Sequence, residues 1–446
     1  MKFSPRAFGL VATGALVGIL LALGQGATAN RAHDMLDVPL DDLQAFAEIL
    51  NQVKSSYVED IDDSELIENA IRGMLSGLDP HSAYLDPDDF KDMQVSTSGK
   101  FGGLGIEVQM ADGFVRVVAP IDDTPASRAG MQPGDLIIRI DDKPVKGMTL
   151  TDAVKMMRGK PGTDIKLLVM REGERKPLDI ELTRDIIRVA SVRTRTLDEQ
   201  YGYIRVSTFT GSTGSALSDE LRKLQKEQKN LKGYVLDLRN NPGGVLTAAV
   251  EVADAFLQDG NIVSIRGREA GEEREFTARP GDSVNQRPVV VLVNAGSASA
   301  SEIVAGALQD QGRAVIVGER TFGKGSVQTI VPIRNNAAIK LTTARYYTPS
   351  GRSIQAEGIK PDIEIAALNV TERERAFTPV TEADLDNRLD NDTAEDDDTA
   401  GADPSKAQST VELAQTDFAL YEALNVLKGL VIADAARNPE RNLVQR

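Results

Sequence analysis

A multidomain α/β chain is predicted by three features of this 446-residue sequence. Over residues 187–365, short apolar runs alternate with helix-forming stretches, the order expected of a layered domain with a buried, mostly parallel sheet. Over residues 99–184, five strand-like runs are separated by glycine turns, and a size of about 85 residues suits one small domain. Helical periodicity bounds these two regions. Leu43, Phe46, Ala47 and Leu50 recur at helical spacing near the start, and Leu420, Leu424, Leu427 and Val431 share one helical face near the end.

The first 29 residues stand apart. Lys2 and Arg6 precede an apolar stretch over 7–23, and Ala27-Thr28-Ala29 closes it with small residues, the pattern of a secretory signal peptide over 1–29. An uncleaved membrane anchor is the alternative, because the stretch approaches spanning length. Either way the remainder is expected across a membrane, in a periplasm or similar exported location, with membrane association only through an uncleaved signal. The chain has no cysteine, which removes disulfides, cysteine catalysis and zinc–thiolate sites. A formal net charge of −16 argues against nucleic acid or an anionic membrane as partner.

The mature chain is expected in five parts. A helical region over 30–95 contains a second periodic run, Leu66, Ile67, Ala70, Ile71 and Leu75, stopped by Gly77 and Asp79-Pro80. Its two histidines are His33, just past the cleavage point, and His81, in a turn where a structural role is the simpler reading. The domain over 96–185 has expected strands at 105–108, 114–118, 136–140, 165–170 and 178–182, with helical patches at 126–129 and 151–158. In the domain over 186–365, strands are expected at 203–206, 233–238, 262–265, 288–293, 314–317 and 339–344, and helices at 215–229, 247–257 and 301–311. Between Thr381 and Asp403 there are ten acidic residues against one basic residue, so 366–410 reads as a solvated linker. The amphipathic helix within 411–446 needs a surface to pack on, either a partner subunit or the chain's own body.

Three stretches can carry chemistry. Phe101-Gly102-Gly103-Leu104-Gly105-Ile106 runs into a strand; such glycines let N–H groups form an anion nest, and the strand edge can pair with a peptide whose terminal carboxylate the nest holds. A plain glycine turn uses the same residues, whereas the absence of a following Gly-Lys-Ser/Thr argues against a phosphate loop. The second stretch is Ser297-Ala298-Ser299-Ala300-Ser301-Glu302. Ser299 and Glu302 are spaced as a capping box, so Ser299 could simply cap a helix. The same turn would also present a hydroxyl at the carboxyl end of a sheet, with helix N–H groups facing developing negative charge. The third stretch is Gly323-Lys324-Gly325-Ser326-Val327-Gln328. A lysine can take a serine proton only if it is largely desolvated, and lowering its pKa by ~3 units costs ~4 kcal/mol, within the reach of burial. Gln328 could hold that amine through a neutral hydrogen bond. A solvated loop lysine is the plain alternative.

Taken together, these residues resemble known families. Gly103-Leu104-Gly105-Ile106, the run from Ser127 to Ile137, and the helix after Thr151 resemble a PDZ domain over about 99–184. The resemblance implies capture of protein C-termini, with Val154 and Met157 lining the groove or else packing as core. The serine and lysine stretches, 25 residues apart from Ser299 to Lys324, together with Asp237-Leu238-Arg239-Asn240-Asn241-Pro242-Gly243-Gly244, resemble the carboxyl-terminal processing, or tail-specific, proteases. That likeness spans nearly the whole mature chain. It implies a layered core like that of crotonases and Clp peptidases, and a Ser–Lys dyad with Ser299 as nucleophile, Lys324 as general base and Gln328 positioning it. It further implies an oxyanion hole from the N–H of Ala300 and that of Gly243 or Gly244. No cofactor or metal is implied. The expected partners are protein substrates with exposed C-termini, a helical-repeat adaptor protein and further copies of the chain. Two other readings remain: a non-catalytic periplasmic PDZ binding or scaffold protein, against which intact Ser299, Lys324 and Gln328 speak, and an acyl-CoA-type enzyme on the same core, against which the export signal and PDZ domain speak.

Overall fold

The apolar run Val289–Val293 is a strand in which all five side chains are buried, and the larger part of the molecule is layered on both of its faces. The computed structural model describes residues 39–371 and 412–437, apart from positions 122, 189, 270, 272, 367 and 369. The leader, His33 and the acidic segment between Thr381 and Asp403 lie outside the described residues.

The chain divides into two units, Met1–Pro80 and His81–Arg446. In the first, helices α1 (Leu40–Ser56) and α2 (Asp63–Ser76) are joined by a 2.7 Å ion pair between Lys54 and Asp63. Asp41 and Asp42 begin α1 and Lys54 ends it, charges placed to complement the helix dipole.

The second unit begins with the turn holding His81, then β1 (Ala83–Leu85) and α3 (Pro87–Ser98). Asp86 caps α3, its carboxylate accepting from the N–H groups of Asp88 and Asp89, and Pro87 occupies the first turn, where no N–H partner is needed. The glycine-punctuated region follows. β2 (Lys100–Gly103) leads to β3 (Ile106–Ala111), β4 (Phe114–Pro120), the short helix α4 (Pro125–Arg128), β5 (Leu136–Ile140), β6 (Lys143–Pro144), α5 (Leu150–Met157), β7 (Asp164–Met170), β8 (Leu178–Thr183) and β9 (Asp185–Arg188). Strands β3-β4-β5-β7-β8 form one antiparallel sheet with β3 at its edge, while β2 and β9 pair separately. Gly105 has φ +77, and a Cβ there would collide with the Thr124 side chain at 2.2 Å, so this position admits only glycine.

The remaining elements build the core. They are β10 (Val192–Leu197), β11 (Tyr201–Val206), α6 (Thr213–Glu227), β12 (Gly233–Asp237), α7 (Leu246–Asp254), β13 (Asn261–Arg266), β14 (Glu273–Thr277), β15 (Val289–Val293), α8 (Ala300–Asp310), β16 (Val315–Gly318), β17 (Ser326–Pro332), β18 (Ala338–Tyr347), β19 (Ile363–Glu364) and α9 (Phe418–Arg437). The central sheet runs β10-β11-β12-β15-β16-β19 and is parallel except for β10 against β11. Side-chain alternation sorts its two faces. Tyr234, Leu236, Val289, Val291 and Val293 join the cluster with α6, α7 and α8; Val235, Val290 and Leu292 join α9 on the other side.

Two strands do not belong where the sequence pattern put them. The expected runs 262–265 and 339–344 form β13 and β18 of a separate antiparallel sheet, β1-β18-β13-β14, with β17 also on β18. β17 itself was not expected as a strand. It forms a hairpin with β18 through a turn in which Asn335 (φ 62) and Asn336 (φ 57) take left-handed conformations that asparagine tolerates.

The surface beneath α9 is the chain's own sheet. Leu420, Ala423, Leu424 and Leu427 are buried there, each leucine contributing on the order of 2 kcal/mol. Asp417 caps the helix through the Leu420 N–H and receives two hydrogen bonds of 2.8 Å from Arg239, which also holds Asp237. Burial alone would raise the Asp417 pKa, but the Arg239 hydrogen bonds and charge outweigh it and hold the carboxyl below its ordinary value. A carboxylate depressed on folding adds stability above its unfolded pKa of about 3.9 and loses it as pH falls through the folded value. Asp417→Asn is therefore expected to weaken α9 docking by roughly 1–2 kcal/mol at pH 7, a modest figure because solvent screens the pair. Amide exchange of α9 should show this loss at pH 7, and the difference between the two proteins should shrink as pH falls below about 3.9.

Candidate active site

The site is built where β15 and β12 end, at the carboxyl edge of the parallel strands. Of the three serines in the turn after β15, two are fully buried and committed to backbone. Ser297 Oγ donates to the Leu238 carbonyl at 2.8 Å, and Ser301 Oγ donates to the Asn241 carbonyl at 2.9 Å. Ser299, half-buried, stands between them with φ 55 and ψ −111. A non-glycine residue in that region costs of order 1–3 kcal/mol and is tolerated only where the surroundings impose it.

The surroundings here centre on Glu302, whose carboxylate is fully buried. It accepts the Ser299 N–H at 2.7 Å, the carboxylate half of the expected capping box. It also reaches across to the lysine loop, accepting from Thr321 Oγ1 at 2.5 Å, the Gly323 N–H at 2.7 Å and the Lys324 N–H at 2.9 Å. Ser299 and Lys324 share one oxygen of this carboxylate, so their backbones lie within two hydrogen-bond lengths of each other. A buried carboxylate of this kind persists because four donors replace its water.

Tyr346 of β18 adds a second tie. Its hydroxyl donates to the Lys324 carbonyl and is hydrogen-bonded to the Ser299 hydroxyl, and its N–H donates to the Gly325 carbonyl at 3.0 Å. Burial, and next the Glu302 charge, hold its pKa well above the ordinary tyrosine value, the Ser299 hydrogen bond opposing them. The phenol stays neutral and cannot serve as a base near pH 7. Lys324 is half-buried, and Gln328 lies on β17 with its amide nitrogen donating to Ser326 Oγ at 2.9 Å and Thr342 Oγ1 at 3.3 Å.

The turn after β12 forms the opposite wall. A Cβ added to Gly243 would stand 2.8 Å from Ser299 Cβ and 2.9 Å from the Ala300 nitrogen, so the absent side chain leaves an opening in front of the Ala300 N–H. The Gly243 N–H is taken by Asn241 Oδ1 at 3.0 Å. Among the described residues, the N–H groups of Gly244 and Ala300 have no hydrogen-bond partner.

Comparison with known proteins gives the family of the chain. Residues 200–365 match Peptidase family S41, residues 102–182 match a PDZ domain, and residues 22–89 match the Activating protease CtpB N-terminal domain. The carboxy-terminal-processing protease of Bartonella bacilliformis is 51% identical over 348 residues, covering 78% of this chain and 79% of that protein. This chain belongs to the carboxy-terminal processing proteases. The protease is also 39% identical over 315 residues to carboxy-terminal processing protease CtpA of Bacillus subtilis, covering 70% of this chain and 66% of that one. A solved photosystem II D1 C-terminal processing protease matches at 32% identity and a TM-score of 0.42, over 72% of this chain and 92% of that one. The protease is a serine-type peptidase with a PDZ domain attached to its layered core.

In the PDZ domain, Leu104 and Met157 are buried in the core, at 2% and 4% exposure. Ile106 and Val154 are half-buried against the same core, and Gly103 and Gly105 are buried. The carbonyl of Leu104 accepts from the N–H of Ala126 in α4, and that of Gly105 from the N–H of Ile121 just before it. Sequence reasoning missed the bridging role of Glu302, the hydroxyl of Tyr346 and the contacts of Asn241. Only Glu302 had a signal, its spacing from Ser299, and that signal pointed to a helix cap.

Proposed function

We propose that the protease is exported, captures the C-terminal tails of proteins through its PDZ domain, and cleaves them with a Ser299–Lys324 dyad. The observation that carries the dyad is the shared Glu302 oxygen, which holds the nucleophile turn and the lysine loop side by side. Ser299 Oγ attacks the peptide carbonyl carbon while the unprotonated amine of Lys324 takes its proton, and Gln328 positions that amine. The carbonyl oxygen becomes an oxyanion held by the N–H of Ala300 and that of Gly244; the engagement of the Gly243 N–H with Asn241 favours Gly244 of the two glycines. The C–N bond then breaks as Lys324 returns the proton to the leaving amine. Water attacks the acyl-enzyme by the same route and frees Ser299. Preorganised N–H donors supply the largest share of the acceleration.

Tail recognition is tested with an unstructured reporter protein ending in apolar residues, offered with a free or an amidated C-terminus. The free form is expected to be cleaved with KM at least about tenfold lower, because a nest of N–H groups loses its charged partner in the amide. Equal KM values would remove the PDZ domain from substrate capture. Export rests on the leader pattern; among the described residues no helix is long and apolar enough to cross a membrane. A helical-repeat adaptor and self-assembly belong to the same proposal and rest on family membership alone.

A further inference from the structure

Asn241 has no reactive group, yet all its hydrogen-bonding side-chain and carbonyl atoms converge on the active-site walls. The residue is fully buried. Its Oδ1 accepts the Gly243 N–H at 3.0 Å, and its Nδ2 donates to the carbonyl of Val206, the last residue of β11, at 2.9 Å. Its own carbonyl accepts the Ala298 N–H at 3.0 Å and Ser301 Oγ at 2.9 Å. Ala298 and Ser301 flank Ser299 and Ala300. One residue therefore touches the glycine wall, the nucleophile turn and the strand beneath both.

The chemistry of the site demands asparagine. The Gly243 N–H can only donate and the Val206 carbonyl can only accept, so the side chain must present one acceptor and one donor in a fixed order. Aspartate lacks the donor, and an aliphatic residue lacks both. The neighbouring Asn240, at φ 50, is held in turn by reciprocal 2.8 Å bonds with Asn294 of the nucleophile turn.

We infer that Asn241 is a positioning residue for the oxyanion hole, setting the distance between the Gly243-Gly244 turn and the Ala300 N–H. The inference rests on the reading of Ser299 as nucleophile. An oxyanion hole works only if its donors stand about 2.7–3.1 Å from the charge that develops, so a shift of a few tenths of an ångström acts on the transition state and spares ground-state binding.

The test compares wild type, Asn241→Ala and Ser301→Ala in the full-length protease, with folding checked by circular dichroism. The measurements are kcat and KM on a reporter peptide, and the Ki of a peptide aldehyde, which forms a tetrahedral adduct on the nucleophile. For Asn241→Ala, kcat is expected to fall about 10²-fold with KM within about twofold, and Ki to rise by the same factor as kcat falls. Ser301→Ala removes one of the four bonds, and a parallel change of about fivefold in kcat and Ki is expected. A fall in kcat without a rise in Ki, or unchanged kcat, overturns the inference. If Asn241→Ala does not fold, Ser301→Ala decides by the same pair of measurements. Failure of the underlying dyad looks different: Ser299→Ala would still cleave, and the aldehyde would form no adduct with wild type.

Discussion

Peptide cleavage is expected to fall by roughly 10⁵–10⁶-fold in Ser299→Ala and in Lys324→Arg, while both variants keep the fold and still bind tailed substrates. The first change removes the attacking oxygen. The second replaces an amine that can accept a proton with a guanidinium that cannot give up its own. Ser297→Ala and Ser301→Ala are the informative controls. Their hydroxyls are buried and donate to the carbonyls of Leu238 and Asn241, so each loss costs about 1 kcal/mol of local order and leaves cleavage within about tenfold of wild type. Rates on an unstructured reporter settle the assignment. Cleavage by Ser299→Ala together with a dead Ser297→Ala would move the nucleophile, and activity in Lys324→Arg would exclude the dyad.

Gly243→Ala is expected to lower kcat by about 10²–10³-fold, the worth of one oxyanion-hole donor. The added methyl would stand 2.9 Å from the Ala300 nitrogen and 2.8 Å from the Ala298 carbonyl, filling the space proposed for the substrate oxygen. A φ of +100 adds backbone strain for any residue with a Cβ. The same methyl placed at Gly429 on α9 meets nothing within 4 Å, and Gly429→Ala should cleave normally. A Gly243→Ala enzyme with wild-type kcat would show that the opening in front of Ala300 is not where the oxyanion forms.

Much of this molecule could be read from the sequence because its strongest signals are local. The run Val289–Val293 could only be a strand buried on both faces, and the stretches with Ser299 and Lys324 stood out by composition. The second sheet was not readable. Ile262-Val263 and Ile339-Lys340 are short runs whose pairing partner leaves no mark on the residues themselves, so antiparallel β13 and β18 looked like further members of the parallel sheet. β17 was hidden for a related reason: a half-exposed strand that opens on Ser326 and Gln328 reads as a continuation of the glycine loop. The site's scaffolding was harder still. Asn241 acts partly through its backbone carbonyl, an atom every residue has, and Tyr346 lies on a strand 22 residues beyond Lys324. The place of α9 was left between two options that only packing could separate, and the burial of Leu420, Leu424 and Leu427 on β12 and β15 chose the chain's own body.

That packing bears on how the molecule comes into being. A polypeptide synthesised from its amino end presents Val235, Val290 and Leu292 long before residues 418–437 emerge to cover them. Until then the sheet keeps one greasy side open, and Arg239, in the turn after β12, lacks its Asp417 clamp. Closure of this layer thus waits for a late segment of the chain, so the sheet is packed on its second side only after nearly all of the polypeptide has been made.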